Sequence, residues 1–133
     1  MEHRSSIEIK TEWDIVAARQ LGRNEAKSTG FGTVDQARIT TAISELARNI
    51  YLYAGKGRIE IEPITVGVRV GLLITASDEG PGIADLQKVM TDGYTTSGGL
   101  GAGMPGVKRL MDDFTVETEV GVGTTITATK WLH

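Results

Sequence analysis

Apolar and polar positions recur along this chain with periods that mark out most of its elements. Ser6–Lys10 sets Ile7 and Ile9 between polar neighbours, the two-residue period of a strand with one buried face. Thr11 followed by Asp14 has the spacing of a capping box and predicts a helix over about 12–28. Gly30 stands where a helix end favours a left-handed residue. Thr33 and Gln36 repeat the capping signal and open the strongest amphipathic pattern, about 34–54. Its stripe of Ile39, Ile43, Leu46, Ile50 and Tyr53 advances in steps of three and four, and Gly55 and Gly57 close it.

Arg58–Ile64 alternates again around Ile59 and Ile61, and Gly71–Ser77 carries the continuous run Leu72-Leu73-Ile74 expected of a central strand. Val66–Val70 fits either strand ends or an extended turn. Asp85–Thr91 reads as a short helix. Gly93–Val107 holds six glycines and no charge, and fits neither a strand nor an ordinary helix. Met104–Asp113 returns to helical composition through Val107, Leu110 and Met111. Thr115–Thr118 and Thr124–Leu132 predict two strands joined by Glu119–Gly123. Trp13 and Trp131 read as core or sheet packing, the usual fate of large aromatics. No repeat, linker or charge block interrupts the pattern. The expectation is one α/β (α+β) domain over residues 1–133, a two-layer sandwich whose largely antiparallel sheet is covered by helices.

Composition narrows the chemistry. The 133 residues are 40% apolar and 23% charged, a globular balance, and the net charge of −3 argues against a nucleic-acid backbone as the main partner. Without cysteine there is no disulfide, thiolate nucleophile or cysteine-based zinc site. His3 and His133 lie near opposite ends of the chain, which disfavours a histidine metal site or a Ser-His-Asp triad. No stretch approaches the roughly 20 apolar residues of a membrane span, and the start of the chain has no apolar signal core. A cytoplasmic protein is expected.

Glycine is the outlier, at 17 residues, eight of them between Gly80 and Gly106. A flexible linker would separate two domains, and isolated turns do not need the density of Gly98–Gly106. Glycines let backbone N–H groups close on an anion, and the helix that follows adds its dipole. A phosphate cradle accounts for the cluster better, although glycine alone leaves ordinary turns open. The run lies too late in the chain for a dinucleotide fingerprint, lacks the Gly-Lys-Ser/Thr of a P-loop, and no protein-kinase triplet accompanies it. Asp78-Glu-Gly-Pro-Gly82 places a carboxylate at a strand end beside a tight turn, suited either to stabilising that turn or to accepting from an adenine amino group. Glu45 and Asn49, four apart on one helix face, fit a solvated surface or a carboxylate base one turn from a Mg²⁺ ligand.

The order of these pieces is more specific than any one of them. Glu45-Leu-x-x-Asn49, Asp78-x-Gly-Pro-Gly82, the Gly99–Gly106 run and Gly121-x-Gly-Thr-Thr125 resemble the four ATP-site boxes of the GHKL superfamily, which includes gyrase, Hsp90, histidine kinase and MutL ATPases. The chain is similar in length to the anti-sigma-factor-type serine kinases. Thr11–Arg19, Phe31–Arg38, Ser44–Gly57 and Thr96–Gly106 resemble the switch kinases of the bacterial stressosome in particular.

That resemblance implies a Bergerat-type ATP-binding fold using ATP and Mg²⁺. It assigns Asn49 to the metal, Glu45 to the base that takes a substrate hydroxyl proton, and Asp78 to the adenine amino group, with Gly80 and Gly82 shaping the pocket. Gly99, Gly101 and Gly103, with Leu100 and Ala102 between them, would meet the phosphates within a mobile lid over about 91–103. Thr124 or Thr125 would sit below the adenine. Tyr53 stands where related kinases often carry histidine, and it reads as core packing. The implied activity is phosphorylation of a serine or threonine on STAS-domain stressosome proteins similar to RsbS and RsbR. Release to activate an RsbU-like phosphatase would follow, with no nucleic acid or membrane involved. An alternative is an ATP-dependent anti-sigma factor acting mainly by sequestration. An ATPase without a protein substrate is disfavoured, because no transducer domain is attached.

Overall fold

The computed structural model describes residues 4–85, 90 and 103–133. Strand β1 (Ser5–Ile9) leads into helices α1 (Glu12–Thr29) and α2 (Thr33–Asn49), and α2 continues into one π-helical turn, Ile50–Ala54. Strands β2 (Gly57–Val66) and β3 (Arg69–Asp78) follow, then helix α3 (Gly103–Leu110) and strands β4 (Asp113–Glu119) and β5 (Gly123–Trp131). The strands form one antiparallel sheet in the order β1-β2-β3-β5-β4. Val66 pairs with Arg69, so the unassigned stretch between the two central strands is strand ends around a two-residue turn, with Gly67 at φ +63°. The short helix expected at Asp85–Thr91 lies almost wholly outside the described residues.

Alternation decides which face of the sheet is dry. Ile59 and Ile61, Leu72, Ile74 and Ala76, and Ile126 and Ala128 are buried in one core with Ile39, Ile43 and Leu46 of α2. On the other face Glu60, Thr75, Thr127 and Thr115 stand in register across four strands, a polar row suited to water. Trp131 also lies on that face, over Gly71, with the Arg69 guanidinium 4.1 Å from its ring centroid and its indole N–H donating to Asp113 at 2.8 Å. It is buried, as expected.

Trp13 is not. It is 81% exposed, because α1 turns a different stripe inward: Ala18, Gly22 and Ala26, four residues apart. These small residues let α1 approach α2 so closely that a Cβ on Gly22 would collide with the Ile43 side chain. Tyr53 departs from its expected core position too. Gly55 N–H bonds the carbonyl of Ile50, five residues back, at 2.9 Å. The wider turn breaks the stripe of α2 after Ile50 and leaves Tyr53 44% exposed. The start of α2 also differs by one residue. Gly32 is its N-cap, and Gln36 rather than Thr33 satisfies the entry, donating from its side chain to the Phe31 carbonyl at 2.7 Å.

Candidate functional site

Strand β3 ends on Asp78, flanked in the sheet by Gly57 of β2 and Thr124 of β5. One carboxylate oxygen of Asp78 accepts from the Gly80 N–H at 2.9 Å, which folds the following loop back on the strand. The loop is fixed from three sides. A Cβ on Gly80 would lie 2.6 Å from the Cβ of Ala54 in the π-helical turn. Gly82, at φ +76°, has no room for a Cβ beside the Glu119 carbonyl, and Gly121 donates to the Pro81 carbonyl at 2.9 Å. Thr118 accepts from the Ile83 N–H at 2.9 Å, shares a 2.9 Å hydrogen bond with the Thr124 hydroxyl, and donates to the Gly123 carbonyl at 3.2 Å. Gly123 in turn presses on the Asp78 carbonyl, where a Cβ would collide.

Register separates the two threonines that the sequence could not tell apart. Thr124 pairs with Asp78 and shares its face of the sheet. Thr125 pairs with Ser77 and faces the opposite side. Thr124 is buried.

The other half of the site is on α2. Glu45 is 4% exposed, in a buried run with Ala42, Ile43, Leu46 and Ala47, so a solvated surface role does not hold for it. Its Oε2 atom is buried with no hydrogen-bond partner among the described residues. Leaving a buried acceptor unpaired costs about 1–3 kcal/mol, so such an atom marks a place where a ligand, a hydroxyl or water belongs. Asn49 follows one turn later, half-buried at the last residue of α2. Among the described residues no three His, Cys, Asp or Glu side chains gather to hold a metal. The Asn49 carboxamide fits Mg²⁺ under those conditions, because Mg²⁺ commonly takes one or two protein oxygens and completes its shell with phosphates and water.

The π-helical turn joins the two halves. Ala54 lies against Gly80, and Ile50 fills the space beside Gly57, 2.7 Å from where a Cβ would stand. The spacing of Glu45 and Asn49 from Asp78 is thereby carried through packed atoms. Ala54, Gly57 and Thr118 are parts of the site that sequence reasoning missed. Gly57 was legible only as a helix stop, and nothing in the local sequence distinguishes Thr118 from any strand threonine. Gly103 begins α3 at φ +52°, and Met104, Pro105, Gly106 and Val107 are buried. Gly99, Leu100, Gly101 and Ala102 lie outside the described residues.

Comparison with known proteins agrees with this architecture. Residues 34–133 match the model of the histidine kinase-, DNA gyrase B- and HSP90-like ATPases. Over all 133 residues, and all of the relative's length, the chain is 68% identical to the serine/threonine-protein kinase RsbT of Bacillus subtilis. It is 33% identical over 100 residues to the anti-sigma F factor of Caldanaerobacter subterraneus, covering 72% of this chain and 70% of that one. Among solved structures, the RsbU and RsbW domains of a Mycobacterium tuberculosis protein superpose with a TM-score of 0.62 at 21% identity, covering 96% of this chain and 31% of that one. The mycobacterial sensor histidine kinase MprB superposes with a TM-score of 0.53 at 15% identity, covering 97% of each chain. The expected Bergerat-type sandwich is the fold observed. The chain therefore belongs to the histidine kinase-, DNA gyrase B- and HSP90-like ATPase family, in its serine/threonine-protein kinase branch.

Proposed function

We propose that this kinase phosphorylates a serine or threonine of STAS-domain stressosome proteins, similar to RsbS and RsbR, in the cytoplasm. It then leaves them to bind and activate an RsbU-like phosphatase. The observation that carries the catalytic part is the buried, unpartnered carboxylate oxygen of Glu45, one helical turn before Asn49. In the proposed step the substrate hydroxyl oxygen bonds to the γ-phosphorus of ATP and the bond to the β–γ bridging oxygen breaks. The hydroxyl proton passes to Glu45, and ADP leaves. Asp78 orients the nucleotide through the adenine amino group, with Gly80 and Gly82 shaping the pocket by letting the loop pack closely against Ala54 and Glu119, and Thr124 on the same side. Mg²⁺ bound through Asn49 would neutralise charge on the phosphates. Phosphoryl transfer needs little else from a protein, since positioning and charge stabilisation supply most of the rate. The Gly99–Gly103 segment, with Leu100 and Ala102, is assigned to the phosphates on its glycine content and on the resemblance of its motif.

Incubation with γ-labelled ATP, Mg²⁺ and a paired STAS protein should move label onto one hydroxyl residue. Absence of transfer with the correct partner would sink the substrate assignment. A second reading has its own support in the anti-sigma F relatives, at 31–33% identity. There the chain would act chiefly by sequestering a sigma factor, and capture of a sigma factor but no STAS protein would favour it.

A further inference from the structure

The helix layer carries a groove of about 390 Å³ between α1 and the C-terminal part of α2. Trp13 and Val16 on α1 and Leu52 on the π-helical turn line it, and they are 81%, 52% and 47% exposed. Arg19 and Arg48 stand in the same groove with one carboxylate, Glu12, and neither arginine has an ion-pair partner among the described residues.

We propose that this groove docks an amphipathic helix of a protein partner. Apolar residues of that helix would cover Trp13, Val16 and Leu52, and its carboxylates would meet Arg19 and Arg48. The inference rests on the reading above that the kinase works through protein partners. The charge supports it: the chain is net −3, yet this groove sets two unpaired guanidiniums against one acid, a complement to an acidic segment. Exposed Trp and Arg together are the residue types that carry most binding energy at interfaces. The backbone selects a helix over an extended peptide. Both walls are helical, so an extended segment would find no strand edge to pair with. A helix brings its own hydrogen bonds and needs only the side-chain contacts. The location suits a phosphoacceptor protein, because Ser44 and Arg48 of the groove immediately precede Glu45 and Asn49 of the site.

Two synthetic peptides test this on the intact chain. One is a helical peptide with Leu at i, i+3, i+4 and i+7 flanked by Glu, and the other is its copy with Lys in place of Glu. The Glu peptide should bind saturably and shift Trp13 emission to the blue, about tenfold tighter than the Lys peptide. Buried Trp131 supplies a constant background. Arg19→Glu with Arg48→Glu should invert the preference, a result that loss of folding cannot mimic. Trp13→Ala should weaken binding of a labelled Glu peptide about tenfold while the affinity for a non-hydrolysable ATP analogue stays unchanged. Failure of both peptides to bind, equal binding of the two, or no inversion overturns the proposal. A concentration-dependent dimer that Trp13→Glu abolishes overturns it as well, since the groove would then belong to a second copy. In the transfer assay the arginine double variant should raise KM for the STAS protein about tenfold with little change in kcat. If the unaltered chain transfers to no STAS protein, the proposed substrate fails, and the peptides still decide the groove.

Discussion

Two carboxylates define the ends of this site, and their surroundings are opposite. Asp78 is held in place: one oxygen takes the Gly80 N–H, and its loop is packed against Ala54 and the β4–β5 hairpin. Glu45 is buried on a helix, with an oxygen that nothing in the described structure satisfies. A carboxylate whose geometry is fixed by bonds is suited to recognition, because its acceptor position costs no reorganisation when a ligand arrives. A carboxylate left without a donor is suited to accept a proton that a substrate brings. This difference fits the proposed function, with recognition of the nucleotide at Asp78 and proton transfer at Glu45.

The largest expected effect tests the reactive end. Glu45→Ala should reduce phosphoryl transfer by about 10²- to 10⁴-fold in single-turnover measurements while ATP affinity is nearly retained. A parallel loss of ATP binding would erase the distinction between the two acids. At the recognition end, Asp78→Ala should weaken ATP by about 10- to 100-fold in calorimetric titration, the scale of one charge-assisted hydrogen bond. Asp78→Asn sharpens this, since its side-chain oxygen can still accept from Gly80. If the Asn variant binds ATP as tightly as the unaltered chain, Asp78 serves the turn alone.

Smaller effects separate the site from its frame. Gly22→Ala should destabilise the fold by about 1–3 kcal/mol in urea melts, because the added methyl meets Ile43, with no change in ATP affinity per folded molecule. A similar change at Gly123 meets the Asp78 carbonyl and should lower both stability and ATP affinity. The smallest effect belongs to Asp14, whose carboxylate accepts from the Lys10 and Thr11 N–H groups at 2.8 and 2.9 Å. Those bonds hold its pKa below the ordinary carboxylate value. Its contribution to stability is therefore present above the unfolded pKa and is lost as pH falls through the lower folded value. Asp14→Ala should lower Tm slightly at neutral pH, and the gap from the unaltered chain should close on acidification.

The sheet was legible because its strands alternate or run apolar in ways that only a half-buried or central strand explains, as Ile59 and Ile61 or Leu72 and Ile74 show. The stripe of α2 was legible to Ile50 for the same reason. Beyond it the π-helical turn has no compositional signature, so Tyr53 read as one more core residue. Trp13 misled by a different route. Hydrophobicity marks large side chains, but α1 is held by the small stripe Ala18, Gly22 and Ala26, whose value lies in close approach rather than in apolar area. At the site, the spacing of Glu45 and Asn49 and the Asp78 turn could be read from local sequence. Thr118, Gly57 and Ala54 could not, since their roles exist only through contacts made across the sheet.

The strand order β1-β2-β3-β5-β4 also governs how copies of the molecule meet in a crowded solution. An open sheet has two margins whose unpaired backbone groups invite strands from other chains, the first step of many aggregates. Here one margin, β1, is only five residues long and carries Glu8 between Ile7 and Ile9. The other, β4, carries Asp113, Glu117 and Glu119. Acidic side chains on both margins disfavour pairing with the same margin of an approaching copy, so the sheet's own edge residues guard its colloidal behaviour.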